Sequence, residues 1–281
     1  MQLKQLAVVQ RMLRVLVLAL ALTLGSCDNR AFRQAEKENT IQAFEKYLQK
    51  YPHGKHQQAA NGHLAQLHFQ EASRVRTVES YREYLRRYPT SVVAPVARQT
   101  LNELVDVEIK TLTDSQIEKM RALLQTDFGT IKLKFFPQKA PNTCRNFIKL
   151  ARSLFYDNSQ FVLIVPGVLV QGGAPTGDPR GGPGYFIKRE INDLPNQTGS
   201  VGMVRWEHPD SAGSQFYICL RRLAQRDGQY TVFAQVEEGI EVVEALSDQE
   251  NTGPDGEPYP WKPLKPLYIR SVEIQGFDAE P

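Results

Sequence analysis

Two hydrophobic rhythms divide this chain of 281 residues. From Phe32 to Val105 the apolar positions recur at helical spacing, whereas from about Leu123 onward they fall in short alternating or continuous runs bounded by Gly and Pro. The helical part repeats itself at an offset of 37 residues. Phe44, Tyr47, Leu48, Tyr51 and Pro52 return as Tyr81, Tyr84, Leu85, Tyr88 and Pro89, and Ala60, Leu64 and Leu67 return as Ala97, Leu101 and Leu104. Each unit reads as a helix stopped at Tyr-Pro, a turn, and a second helix opening on small residues. In the second part, Ile131, Leu133 and Phe135 alternate with Lys132 and Lys134, as in a half-exposed strand. Pro141, Asn142 and Thr143 open a helix with Phe147, Leu150 and Ala151 facing inward, and the Gly/Pro-rich stretch from Pro175 to Gly184 reads as a long surface loop. Asp227-Gly228 reads as a tight turn between strands. Phe161–Gly173, FVLIVPGVLVQGG, and Gly213–Cys219, GSQFYIC, each read as a buried strand. Each carries one glutamine, Gln171 and Gln215, whose amide needs partners at a cost of about 1–3 kcal/mol if left without them.

The first residues read as an address. Lys4, Arg11 and Arg14 precede the apolar run Val15–Leu24, which is too short for a permanent span and has the layout of a secretory signal. Leu24-Gly25-Ser26-Cys27 resembles a bacterial lipobox, which implies removal of residues 1–26 and acylation of Cys27. A short polar tether is expected over residues 27–31. The three basic residues of the leader equal the formal net charge of +3, so the chain from Cys27 onward is neutral and no basic stripe points to nucleic acid. Cys144 and Cys219 read as buried apolar residues, the sequence leaving their pairing open. His53, His56, His63 and His68 have mixed spacings and no accompanying Cys or acid cluster, so they read as solvent-exposed side chains rather than metal ligands.

Three motifs in order then carry a resemblance. F-x-x-x-x-P-G-x-x-x-Q-G-G at Phe161–Gly173, G-S-Q-F-Y-I-C at Gly213–Cys219 and D-G-x-x-x-V-F at Asp227–Phe233 resemble the cyclophilin-type peptidyl-prolyl isomerases. GTIKLKFFPQKAPNTCRNF, Gly129–Phe147, is similar to that family's first strand and helix, and Val232–Leu246 to its last strand and second helix. The resemblance covers Leu123 to Gly276 and implies a closed antiparallel β-barrel capped by two helices. The preceding helices resemble tetratricopeptide repeats, two units being fewer than an independent array needs. The segment Asp106–Met120, or the barrel itself, is expected to cap them. The expected organisation is a signal over 1–26, the tether, helical repeats over 32–120, a cyclophilin-like domain over 121–277 and a tail over 278–281.

The activity implied is rotation about an X-Pro amide, a barrier of roughly 18–20 kcal/mol. A donor to the pyramidal prolyl nitrogen stabilises only the twisted state and so accelerates the step. In the family an arginine of the first groove strand supplies it, and here Leu163 stands at that position. Loss of such a donor typically costs about 10²–10³ in rate. Gln171 is retained, as are Gln215 and Phe233; the proline pocket maps onto Val168, Leu169 and Tyr217. The family's M-A-N-A loop becomes Met203-Val204-Arg205-Trp206, its Trp-Leu pair becomes Gln225-Arg226, and its rim histidine becomes Tyr230.

The expected function is therefore an isomerase-like factor that assists folding of exported proteins at a bacterial envelope, with catalysis weak or lost. Arg205 or Arg226 replacing the missing donor is one variant of that reading. The alternative is a non-catalytic proline-peptide-binding or scaffolding lipoprotein. Expected partners are proline-containing or unfolded exported polypeptides and a membrane through the lipid, on the periplasmic side. The repeats offer either a docking surface for a further protein or a spacer. Amide rotation requires no cofactor and no metal, and no P-loop, Ser-His-Asp order or zinc spacing appears.

Overall fold

The computed structural model describes residues 27–277, so the expected signal and tail lie outside the described residues. The chain divides into two compact units, one ending at Leu101 and the other beginning at Asn102. Among the described residues no helix is long and apolar enough to cross a membrane.

The first unit contains α1 (residues 27–38), α2 (Ile41–Lys50), α3 (Gln57–Val75), α4 (Val78–Arg87) and the start of α5 (Ala94–Thr111). The repeat read from the sequence reappears in the caps. Thr40 and Thr77 each accept a hydrogen bond from the backbone N–H three residues on, at 3.2 Å in both cases. α2 and α4 both stop at a tyrosine, Tyr51 and Tyr88, because the proline that follows disfavours helical backbone in its predecessor. Tyr47 and Tyr84 face inward at equivalent positions, and each hydroxyl has a side-chain partner, Asp28 and Ser91 respectively.

Residues 27–31 are not a tether: they belong to α1, and Asp28 is buried, with its carboxylate accepting from the Tyr47 hydroxyl and from the Lys55 N–H at 3.0 Å. Burial, with Asp28 beside it, pushes the Tyr47 phenol up to about 12. Of the histidines, His53 is exposed as expected, but the other three are not mere surface groups. His56 stacks on Phe32 at 4.3 Å and His63 on Phe44 at 4.6 Å, while burial lowers the pKa of His68. An imidazole has an apolar face and a polar edge, so it can cover a core ring while its nitrogen bonds outward, as His56 does to Asn29 at 2.8 Å.

The second unit begins earlier than residue 121. The end of α5 and α6 (Asp114–Lys119) attach to α7 (Pro141–Arg152) through Lys149–Asp106, Arg152–Glu108 and Arg145–Asp114 pairs at 2.6–2.8 Å. Met120, which ends this connection, is buried. The strands are β1 (Arg121–Thr126), β2 (Gly129–Phe135), β3 (Ser159–Phe161), β4 (Leu163–Val165), β5 (Leu169–Gly172), β6 (Ser200–Met203), β7 (Phe216–Cys219), β8 (Val232–Glu238) and β9 (Leu267–Gln275). They form one antiparallel sheet in the order β3-β9-β1-β2-β8-β6-β7-β5-β4. The sheet curls until its ends meet: Gln160 N–H bonds Ala174 O at 3.0 Å and Val162 N–H bonds Gln171 O at 2.8 Å. This nearly closed barrel, covered by α7 and α8 (Ile240–Ser247), is the fold expected.

Phe161–Gly173 is a hairpin rather than one strand. Pro166 has no N–H to offer a ladder and Gly167 adopts φ +63°, so the apolar run reverses and sets Leu163 opposite Gln171. β8 is likewise not the last strand; β9 follows it and pairs with both β1 and β3. Inside, Phe147 packs on Phe135, Tyr156, Phe216 and Phe233 with ring centres 5.0–5.9 Å apart. Cys144 and Cys219 are both buried and free.

α7 begins at Ala140, which has no capping side chain, and its free N–H groups are satisfied from elsewhere. Glu190, on the long connection before β6, accepts from Asn142 N at 3.0 Å, Thr143 N at 2.8 Å and Thr143 Oγ1 at 2.7 Å. A carboxylate at a helix N-terminus also meets the positive end of the helix dipole. Glu190→Ala is expected to lower unfolding free energy by about 1–2 kcal/mol, measured by urea denaturation, with Glu190→Gln intermediate.

Candidate functional site

The β4–β5 hairpin, the end of β6, the 3-10 turn Ala224–Arg226 and two loops enclose a cleft of about 250 Å³. Of the residues singled out from the sequence, Leu163, Gln171, Val204, Arg205, Arg226 and Tyr230 line it together. Leu169 and Tyr217 lie beneath, 5% and 1% exposed, packed with Cys219 and Leu223, and Val168 flanks that cluster. They are floor rather than contact surface. Gln225 is exposed on the 3-10 turn and outside the lining. The Asp227-Gly228 turn follows that 3-10 turn rather than joining two strands.

The floor is built from a glycine and a polar chain. Gly202 on β6 faces Tyr217 on β7, and a Cβ at 202 would come within 2.3 Å of the Tyr217 hydroxyl, so only glycine lets the ring lie across the strand. The hydroxyl donates to Asn196 Oδ1 at 2.6 Å. Asn196 donates its backbone N–H and Nδ2 to Asp227 Oδ1 at 2.9 and 3.1 Å, and Asp227 pairs with Arg222 through both carboxylate oxygens. Burial raises the Tyr217 phenol above its ordinary value, outweighing the nearby Arg226, and pushes the Cys219 thiol up to about 12. The Arg222 bond, followed by the Asn196 N–H, holds the Asp227 carboxyl well below the usual carboxylate range.

The two glutamines satisfy each other. Gln171 Nε2 donates to Gln215 Oε1 at 2.9 Å, and Gln215 Nε2 donates to Pro179 O at 2.6 Å and Gly181 O at 2.8 Å. Gln215, expected to contact a ligand, has thus committed its amide to bracing the 175–184 loop.

Arg205 and Arg226, both half-buried, converge on one ring. Their guanidinium carbons lie 4.8 and 4.7 Å from the centre of Tyr230, and Arg226 also lies 4.5 Å from that of Tyr217. Arg205 is held further by bonds to Trp206 O at 3.1 Å and Gln229 O at 3.3 Å. Sequence reasoning missed Val162, Pro179, Tyr259 and Pro260 in the lining. The last two come from a loop closed by Thr252 N–H to Lys262 O at 2.9 Å and pinned to β4 by Ile164 N–H to Trp261 O at 2.9 Å. Their signal was the run Pro258-Tyr259-Pro260-Trp261, stiff and aromatic where an ordinary surface loop is polar.

A depressed pKa stabilises the fold above the unfolded value, about 3.9 for Asp, and the contribution is lost as pH falls through the folded value. Asp227→Asn is therefore expected to melt below the native chain at pH 7. The gap should narrow steadily from about pH 4 downward, as followed by thermal denaturation across a pH series.

Comparison with known proteins places residues 121–274 in the family model described as "Cyclophilin type peptidyl-prolyl cis-trans isomerase/CLD". The chain is similar to a peptidyl-prolyl cis-trans isomerase of Synechococcus elongatus, 44% identical over 128 residues that make up 45% of this chain and 88% of that protein. It is similar also to peptidyl-prolyl cis-trans isomerase B of Bacillus subtilis, 39% identical over 127 residues, 44% of this chain and 88% of that one. Among solved structures it resembles a Cryptosporidium parvum cyclophilin type peptidyl-prolyl cis-trans isomerase crystallised in the presence of the dipeptide Ala-Pro. That match has a TM-score of 0.50 and 29% identity, and covers 55% of this chain and 98% of the other.

Proposed function

Because this chain belongs to the cyclophilin-type peptidyl-prolyl cis-trans isomerase family, we propose that its cleft takes X-Pro segments of exported polypeptides with catalysis weak or lost. One observation carries the reading. Leu163 is on β4, lines the cleft and faces Gln171 across the hairpin, so the position that the resemblance assigns to the donor holds a side chain with nothing to donate. The barrier to rotation comes from amide resonance, and a cleft that grips both isomers without a donor to the twisted nitrogen binds ground state and transition state alike. Such binding does not raise the rate of the step. Arg226 lies in the same cleft, but on the 3-10 turn against the Tyr217 and Tyr230 rings rather than on β4, where the donor position lies.

The cellular setting belongs to the same proposal. Cys27 is exposed at the described start of α1, available to a lipid, and the lipobox-like Leu24–Ser26 precedes it. Attachment there would place the cleft at a bacterial envelope, where unfolded exported chains pass. The repeated helix pairs, which resemble tetratricopeptide units, act in this reading as a docking surface or spacer.

NMR exchange on a short Ala-Pro peptide tests the chemistry, the Cryptosporidium parvum relative having been crystallised with that dipeptide. The full chain in mild detergent is expected to accelerate exchange weakly or not at all, and Leu163→Arg to raise the rate about 10²-fold. Full activity of the native chain, undiminished by Arg205→Ala and Arg226→Ala, would refute the loss of the donor. For the anchor, the native chain is expected to take up radiolabelled palmitate in a bacterial host and to fractionate with membranes. Cys27→Ser should do neither, and unchanged labelling of that variant would remove the lipid proposal.

A further inference from the structure

Arg205 and Arg226 both approach the ring of Tyr230, at 4.8 and 4.7 Å, so their charges lie within about 10 Å of each other, roughly one Debye length at 0.1 M salt. Neither has a carboxylate partner among the described residues. Asp227, next in sequence to Arg226, is turned away and held by Arg222 and Asn196. The rest of the lining supplies no acid: Val162, Leu163, Gln171, Val204, Trp206 and Tyr259 are apolar, amide or phenolic. Elsewhere in this unit exposed arginines do find acids, as Arg121 does in Glu237 and Arg270 in Asp127. Two like charges half-buried side by side repel, and the fold leaves that repulsion uncompensated.

The way the guanidiniums are held indicates what would compensate it. Stacking uses the flat face of a guanidinium. Arg205 already donates Nε and Nη1 to Gln229 O and Trp206 O, whereas the in-plane edge of Arg226 has no carbonyl or carboxylate acceptor among the described residues. That edge matches the two oxygens of a carboxylate, with which it forms paired, charge-assisted hydrogen bonds. We infer that the cleft is a carboxylate-recognising site, selecting peptide segments that carry a Glu or Asp side chain, with Arg226 as the principal contact and Arg205 in support. The inference rests on the reading of the cleft as a peptide site and adds the chemical class of peptide. Trp206 and Tyr259 line the cleft beside the pair as aromatic side chains.

The test is calorimetric titration of the full chain in mild detergent with two peptides, Ala-Glu-Pro-Ala and Ala-Gln-Pro-Ala, both capped at their ends. The Glu peptide is expected to bind about tenfold more tightly at about 50 mM salt and to lose most of that advantage at about 500 mM. Arg226→Gln should erase the preference, and Arg226→Lys, which keeps the charge without the planar edge, should keep part of it. Should Arg226→Gln fail to fold, as judged by near-ultraviolet circular dichroism, the Arg226→Lys result and Arg205→Gln decide. Equal binding of the two peptides overturns the carboxylate preference and leaves the peptide site standing. Binding of neither overturns both. A preference for Glu that survives in every arginine variant assigns it elsewhere and refutes the proposal.

Discussion

A buried amide must have its donors and acceptor matched, and in the barrel this requirement joins pieces that the sheet alone would leave independent. Gln171 on β5 donates to Gln215 beside β7, and Gln215 passes the constraint on to the carbonyls of Pro179 and Gly181. A strand pair and a long glycine-rich loop are thereby fixed relative to each other at one wall of the cleft. Close by, Ser214 Oγ donates to Gly173 O at 2.8 Å and the Tyr156 hydroxyl to Ser214 O at 2.9 Å, so the same corner is tied to the aromatic core. Gly173 takes φ +87°, and a Cβ there would lie 2.6 Å from Ser214 O, which restricts the position to glycine.

The opposite wall follows the same rule with a phenol, an amide and an ion pair. Tyr217, Asn196, Asp227 and Arg222 form a chain in which each polar group meets its complement, and this chain holds the 3-10 turn that presents Arg226. Asp227 is spent inside that chain and so is withheld from the neighbouring arginine. The cleft thus inherits a net positive lining from a chain that is neutral from Cys27 onward. Local charge here is decided by which partners are within reach, not by composition.

The helical unit shows how far one periodic pattern can carry. Equivalent threonines cap α2 and α4, equivalent tyrosines fill the interior, and prolines stop both helices, all at the offset of 37 residues read from the sequence. Where the two copies differ, the partners differ. Tyr47 meets Asp28 of α1, while Tyr84 meets Ser91 on the turn before α5. α4 packs on α3 as α2 packs on α1, Phe69 meeting Tyr84 as Phe32 meets Tyr47, but the position of Asp28 is answered by Ala65, so only the first copy offers its tyrosine an acid.

The sequence by itself determined the class of the long, strongly patterned elements. Alternation, helical spacing and Gly/Pro punctuation are local, and they announced the barrel strands, α7, the repeat and the apolar character of Cys144 and Cys219. Of the motif residues, Gln171 lines the cleft, Gln215 braces it, and Asp227 follows the turn that carries Arg226. Only the tertiary structure decided which of those residues face the cleft. Gln225 and Arg226 are adjacent in the chain, yet one points to solvent and the other stacks on two rings, because a 3-10 turn rotates neighbours apart. Phe161–Gly173 folds back on itself because Pro166 and Gly167 outweigh an otherwise continuous apolar run. Tyr259 and Pro260 join the lining from a loop far along the chain, through backbone hydrogen bonds that any sequence could offer. The Pro258–Trp261 run marks that loop as stiff and aromatic, but where it docks depends on which distant segments meet once the core has closed.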